Sequence, residues 1–298
     1  MREIRAALEG LRDTVSDCVI VMDTRIHDEL ATRRLRIVKY RGSAHGANEF
    51  PFLIVHTGNT VLPVTSRGLA HAVSDKRLSS GIAGPDQMLE GTGFCKGSSI
   101  LVSGGPGTGK TTLGGQFAAA ACGRGDRCLV FAFEESVPHM VRNMRTVGID
   151  RQPLIDDKQL TVHSVRPSLQ GLEMHLASVL HLVQTVRPAV VVVDPLSALQ
   201  VIVTMGQSQI MVLRLIDHPK GIGATSLFLT TRSADDATDL NISSLMDTWI
   251  AVKNERLEDG RYRCIYVAKS RGMAHSSDVR QFAISARGIE VVNRKALS

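Results

Sequence analysis

The stretch Gly104-Gly105-Pro106-Gly107-Thr108-Gly109-Lys110-Thr111 satisfies the pattern G-x-x-x-x-G-K-[ST] at every fixed position, and its flanks restrict what can hold it. Ser99-Ile100-Leu101-Val102 before it is an apolar run of strand length, and Thr112 to Ala121 after it reads as a helix. Strand, glycine loop and helix in that order let successive backbone N–H groups converge on phosphate oxygens, with the partial positive charge of the helix N-terminus behind them. Gly104, Gly105, Pro106, Gly107, Thr108, Gly109, Lys110, Thr111 and Thr112 are therefore the candidate nucleotide-binding residues. Lys110 is expected to reach the β- and γ-phosphates, and the Thr111 hydroxyl to hold Mg²⁺.

A loop of this kind needs a parallel sheet, and the downstream pattern supplies one. Cys128 to Phe133, Ala189 to Asp194 and Thr225 to Thr231 are continuous apolar runs, as buried parallel strands are. Between them, helices are expected over Ser136 to Val147, with Ser136 as N-cap and Gly148 as terminator, and over Ser168 to Val186. Another is expected over Ser208 to His218, broken before Pro219. From Asp247 the pattern changes: Trp249 to Val252, Arg261 to Ala268, Val279 to Ser285 and Ile289 to Val292 read as strands joined by turns. The expected class is α/β, a mainly parallel central sheet flanked by helices with a C-terminal antiparallel meander.

An internal repeat sets the domain layout. Lys39-Tyr40-Arg41-Gly42-Ser43-Ala44-His45 recurs as Lys269-Ser270-Arg271-Gly272-Met273-Ala274-His275, and the same offset pairs Asp17 with Asp247, Ile20 with Ile250, Arg33 with Arg263, Phe52 with Phe282, Ile54 with Ile284 and Gly58 with Gly288. Residues 1–64 then correspond to the end of a domain, strands only and without a phosphate loop. Residues 65–78 are an expected linker and residues 79–298 the complete copy, opening on the turn-rich Ser79 to Asp86 and a short helical piece over Gln87 to Leu89.

Charge and cysteine content bound the partners. The 298 residues carry 35 basic and 29 acidic side chains, net +6, but only 4% are aromatic, too few to furnish a base-stacking platform. Nucleic acid is not expected as a partner. Five cysteines, scattered and without a C-x-x-C pair, suggest neither a disulfide framework nor a zinc site, and point to a reducing cytoplasm. No run approaches a membrane span, and Met1 to Leu11 lacks the pattern of a signal peptide.

Beyond the loop, chemistry is expected from carboxylates at strand ends. Val190 to Val193 delivers Asp194 to the C-terminal edge of its strand, opposite Thr111, as a Mg²⁺ carboxylate. Glu134 and Glu135 end the adjacent strand, and phosphoryl transfer needs one carboxylate to orient and deprotonate the attacking water or hydroxyl. Alternation at a strand end turns one toward the nucleotide and the other away, and Glu134 is preferred as the base, with Glu134 also near the metal. Lys269 and Arg271 share a strand face. Repetition of the pair at Lys39 and Arg41 argues for a kept role, and a site at a subunit boundary takes its γ-phosphate cation from the neighbour. His275 reads equally well as a nucleotide contact or a turn histidine.

Together, Ser79-Ser80-Gly81-Ile82, the loop Gly104 to Thr111, Phe133-Glu134-Glu135-Ser136, Val193-Asp194-Pro195-Leu196-Ser197, Ile242-Ser243-Ser244-Leu245-Met246-Asp247-Thr248 and Lys269-Ser270-Arg271-Gly272-Met273 resemble the KaiC family of RecA-like ATPases. The resemblance is full from Arg77 to Val292, while residues 13–64 resemble the last third of that family's first ATPase domain. It implies a homo-oligomeric, hexameric ring with ATP and Mg²⁺ between subunits, ATP hydrolysis, serine/threonine autokinase activity, and signalling partners of the circadian-clock kind. Carried residue by residue, it places catalysis on Lys110, Glu134, Glu135, Lys269 and Arg271, nucleotide contacts also on Ser270, Met273 and His275, metal binding on Thr111, Glu134 and Asp194, and the phosphoacceptors on Ser243 and Ser244, in a loop where a hydroxyl is accessible. Two departures are expected: a first domain without its loop and most of its sheet, and no long C-terminal tail after Ser298 for an activating partner. A DNA-dependent recombination ATPase and a non-catalytic scaffold are the alternatives. The acidic loop Ser233 to Asp239 argues against the first, because it repels a phosphate backbone.

Overall fold

The computed structural model describes residues 16–27, 30–46, 48–55, 58–61, 74–169, 171–200, 205–232, 242–257 and 260–295. The chain divides into two compact units, residues 1–66 with 170–177, and residues 67–169 with 178–298. The acidic loop at 233–239 and most of the expected linker lie outside the described residues.

In the first unit β1 (Cys18–His27), β2 (Leu30–Tyr40), β3 (Phe50–Val55) and β4 (Gly58–Val61) form an antiparallel sheet in that order. Phe52 and Leu53 are buried, and Arg34 pairs with Glu173 at 3.4 Å.

The second unit holds a nine-stranded sheet. Its strands are β7 (Ser99–Ser103), β8 (Cys128–Ala132), β9 (Leu160–Ser164), β10 (Val190–Asp194), β11 (Thr225–Thr230), β12 (Thr248–Leu257), β13 (Gly260–Ser270), β14 (Arg280–Ser285) and β15 (Gly288–Lys295), in the spatial order β15-β14-β13-β12-β7-β11-β10-β8-β9. Pairs from β12 through β7, β11, β10 and β8 to β9 are parallel, and the three pairs from β12 to β15 are antiparallel. The expected α/β class is observed. Every residue of β7, β8 and β11 is buried, as a strand covered on both faces requires. Ile100, Val102, Val130, Val192, Leu227 and Leu229 form the core with Leu113 and Phe117 of the helix Lys110–Gly123, and Phe117 meets Phe94 edge to face at 5.7 Å.

The repeat is geometric as well as textual. Cys18 faces Tyr40 and Ile20 faces Ile37 across a register shift between Val19 and Ile20; Thr248 faces Ser270 and Ile250 faces Val267 across a shift between Trp249 and Ile250. The second hairpins match too, Phe52 facing Val61 as Phe282 faces Val291.

Several boundaries depart from the expectations. The helix Met205–Lys220 runs through Pro219 instead of breaking before it. A proline in the last turn removes one N–H, and its carbonyl still accepts from the N–H of Ile222 at 3.1 Å and of Ala224 at 3.0 Å. Arg77–Leu78, expected in the linker, form β5 and pair with β6 (Phe94–Cys95). The opening helix spans Ala83–Met88, earlier than expected, with the Asp86 carboxylate accepting from the Ser80 N–H at 2.8 Å. Ser136 is the N-cap of the helix Val137–Thr146, but its hydroxyl makes no capping bond. Three of the meander strands, β12, β13 and β15, are longer than expected, β14 starts one residue later, and β9 has no counterpart in the expectations.

Asp247 ties the start of β7 to two other elements. Its Oδ2 accepts from the Ser99 N–H at 2.8 Å and the Ser99 hydroxyl at 2.9 Å and pairs with Lys220 Nζ at 2.6 Å, while its carbonyl accepts from the Arg271 N–H at 2.8 Å. Burial alone would raise its pKa, but the bonds from Lys220 and Ser99 outweigh that and hold it below the ordinary carboxylate range. Its contribution is therefore present above pH ~4 and is lost as pH falls through the lower folded-state value. Replacing Asp247 by Ala is expected to cost about 2–3 kcal/mol in chemical denaturation at pH 7, and the gap to wild type should narrow in the same experiment at pH 3.

Candidate functional site

The glycine loop is shaped by its neighbours. A Cβ at Gly104 would come within 2.1 Å of the Val252 carbonyl, and Gly109, at φ 96°, holds the left-handed turn into the helix Lys110–Gly123. Trp249 Nε1 donates to Ser103 Oγ at 2.8 Å and fixes the end of β7 immediately before the loop. Lys110 is 7% exposed and folds back, its Nζ donating to the carbonyls of Gly104 at 2.6 Å and Gly105 at 2.8 Å. Burial lowers its pKa, and attraction to Asp194 and Glu134 opposes that. An ammonium held by two loop carbonyls is a donor that phosphate oxygens can take over.

One cavity of about 100 Å³ gathers the chemistry. Thr111, Gly114, Gly115, Glu134, Glu135, Arg151 and Asp194 line it with Val130, Ala132, Met140, Val192 and Pro195. Asp194 faces Ala132 in register, and the Thr111 side chain lines the same cavity. Burial raises Asp194 to about 6; the Thr111 hydroxyl and Lys110 lower it, and Glu135 and Glu134 raise it. A hydroxyl and three carboxylates on one wall are oxygen ligands of the kind a hard divalent cation takes.

The expectation that Glu134 and Glu135 face opposite ways is corrected: both line the cavity. β8 ends at Ala132, so strand alternation no longer governs them, and Glu135 is held by Asn143 Nδ2 at 3.0 Å.

The remaining predicted residues lie elsewhere. Lys269 and Arg271 are not on the cavity wall; Lys269 Nζ donates to the Ser243 carbonyl at 2.7 Å and Arg271 Nη2 to the Ser244 carbonyl. Burial, and then the charge of Arg271, lower the Lys269 pKa. Ser270 pairs its hydroxyl with Thr248 at 3.1 Å. Met273 is 8% exposed, its sulfur against Cys95 and Arg77, so its side chain fills the interior. His275 is exposed, with Nδ1 3.3 Å from the Met273 carbonyl. Accessibility was expected for both acceptor serines, but Ser243 is 5% exposed in a helical turn and only Ser244 is exposed. Arg151, 2% exposed, belongs to the cavity and was missed; burial lowers its guanidinium to about 10, opposed first by attraction to Asp194. No sequence signal marks it, because its place depends on packing against a distant helix. Among the described residues no group of three or more His, Cys, Asp or Glu side chains forms a metal cluster, and no helix is long and apolar enough to cross a membrane.

A family model described as the KaiC ATPase matches residues 3–66 and 78–296. Circadian clock protein KaiC2 of Synechocystis is 44% identical over 95% of this chain and 51% of its own length. KaiC3 of the same organism is 34% identical over 95% of this chain and 57% of its own length, and the circadian clock oscillator protein KaiC of Synechococcus elongatus is 33% identical over 95% and 55%. The chain thus spans about half the length of the curated relatives it matches. A family match on both sides of residues 67–77, with a phosphate loop, a strand-end Asp194 and paired glutamates on one wall, places this chain in the KaiC family of ATPases.

Proposed function

We propose that this chain binds and hydrolyses ATP with Mg²⁺. The observation that carries the reading is convergence: Thr111 at the end of the loop, both glutamates and Asp194 come from three separate stretches of sequence onto one wall. Loop N–H groups and Lys110 take the phosphates. Thr111 and Asp194 hold the metal, which when bound supplies charge to offset that developing on the phosphate oxygens. Glu134, exposed at the rim, orients and deprotonates the attacking oxygen, and Glu135, restrained by Asn143, sets the local field.

Lys269 and Arg271 do not reach this wall in their own chain, which supports a role in a second copy's site. A cation so supplied contributes about 10³–10⁵ in rate. The same pair grips the carbonyls of Ser243 and Ser244. Autokinase activity then falls on Ser244, the exposed hydroxyl, before Ser243, which must first be uncovered.

ATP turnover by the purified chain should vanish with Lys110→Ala, and Glu134→Gln should retain ATP binding while kcat falls about 10²-fold or more; equal turnover in all three proteins would refute the site. Intact mass after incubation with Mg²⁺-ATP should show one phosphate that Ser244→Ala removes and Ser243→Ala largely spares; no added phosphate would confine the chain to hydrolysis. Because Asp194 must lose its proton to bind metal and titrates near 6, Mg²⁺-dependent ATP affinity should be flat from pH 7 to 8 and weaken by roughly tenfold per pH unit below about 6. Calorimetric titration at several pH values measures this directly, and an affinity unchanged down to pH 5 would contradict it.

A further inference from the structure

A buried cation without a carboxylate partner stands beside the candidate site. Arg151 precedes the helix Gln152–Asp156, its Nη1 contacts the Met140 sulfur, and its Nε has no hydrogen-bond partner. An unsatisfied interior donor on a charged group is costly, so the position demands a reason. Its place is cut by a glycine. On the helix Lys110–Gly123, Gly115 stands one turn after Thr111 on the same face, and a Cβ there would lie 2.5 Å from Arg151 Nη2. The guanidinium therefore sits one helical turn below the Thr111 hydroxyl, on the wall it shares with Glu134, Glu135 and Asp194. Among the described residues no carboxylate lies within ion-pair distance of it. Three carboxylates and one cation paired with none of them thus share a cavity.

Packing alone does not explain the residue. The side chain its Nη1 touches, Met140, is apolar, and a methionine would fill the same space without a charge to desolvate. What a methionine lacks is the positive field.

We propose that Arg151 is a positioning residue, the resident counter-ion of Asp194, Glu134 and Glu135, which competes with bare Mg²⁺ for their field and favours the nucleotide anion. The inference rests on the nucleotide-site reading above. Its consequence is an order of loading: a free divalent cation meets a site already part-neutralised, whereas a metal arriving with nucleotide brings the negative charge that offsets the competition.

The test is a thermal-shift titration of wild type, Arg151→Met and Arg151→Lys with MgCl₂ alone and, separately, with ATP in excess chelator. Arg151→Met should fold with an unchanged or higher melting midpoint, bind Mg²⁺ alone about tenfold more tightly and bind metal-free ATP about tenfold more weakly; Arg151→Lys should stay near wild type for both ligands. Opposite movements of the two affinities are the signature of charge, because a packing defect weakens both. Affinities that move together or not at all, a lysine variant that behaves like the methionine one, or an Arg151→Met chain that fails to fold would each overturn the proposal. A wild type that neither ligand stabilises, alone or combined, and that matches Lys110→Ala, would overturn the nucleotide site itself and this inference with it.

Discussion

Everything at the candidate site depends on the in-register parallel pairing of β7, β11, β10 and β8. Thr230 faces Ser103, Val193 faces Phe228 and Asp194 faces Ala132, so the strands end on one line. The glycine loop leaves β7 there, Asp194 closes β10 there, and Glu134 and Glu135 follow β8 there. Evenly covered apolar strands make that register costly to shift, since a slip of one residue would turn each side chain to the other face. Trp249 bonded to Ser103, and Asp247 bonded to Ser99, fasten the two ends of β7 from the neighbouring strand β12 and the turn before it.

This wall is electrostatically unsettled in the chain by itself. Three carboxylates share it, and the innermost, Asp194, is raised to about 6 chiefly by burial. The two nearby cations are differently employed: Lys110 is folded onto the carbonyls of its own loop, and Arg151 is paired with no carboxylate among the described residues. Such an arrangement gives up stability in exchange for readiness, because groups that are fully satisfied in the free chain have nothing to offer a ligand.

The parts of this architecture that were legible in the sequence are those written locally. The loop and its flanks, the valine run ending in Asp194 and the hairpin repeat each occupy a continuous stretch, and a buried parallel strand announces itself as an unbroken apolar run. Where the outcome depended on distant packing, the sequence was silent or misleading. β9, at the sheet edge, buries only Leu160 fully and so carries no such run. Strand alternation turns Glu135 away from the nucleotide only if β8 continues through the glutamates, and it ends at Ala132. Ser243 looked like a loop hydroxyl, yet Lys269 and Arg271 draw its turn inward. Arg151 was invisible, because its burial requires the notch at Gly115 on another element.

In the proposed arrangement one chain holds half of a site, the phosphate loop and carboxylates, and lends its cations to another. Mixing Lys110→Ala with a Lys269→Ala, Arg271→Ala double variant tests this most directly. Each alone should be nearly inactive, and after subunit exchange, followed by energy transfer between labelled chains, the mixture should recover a substantial fraction of wild-type ATP turnover. A mixture that exchanges subunits and yet shows no more than the summed activity of its parts would contradict the claim.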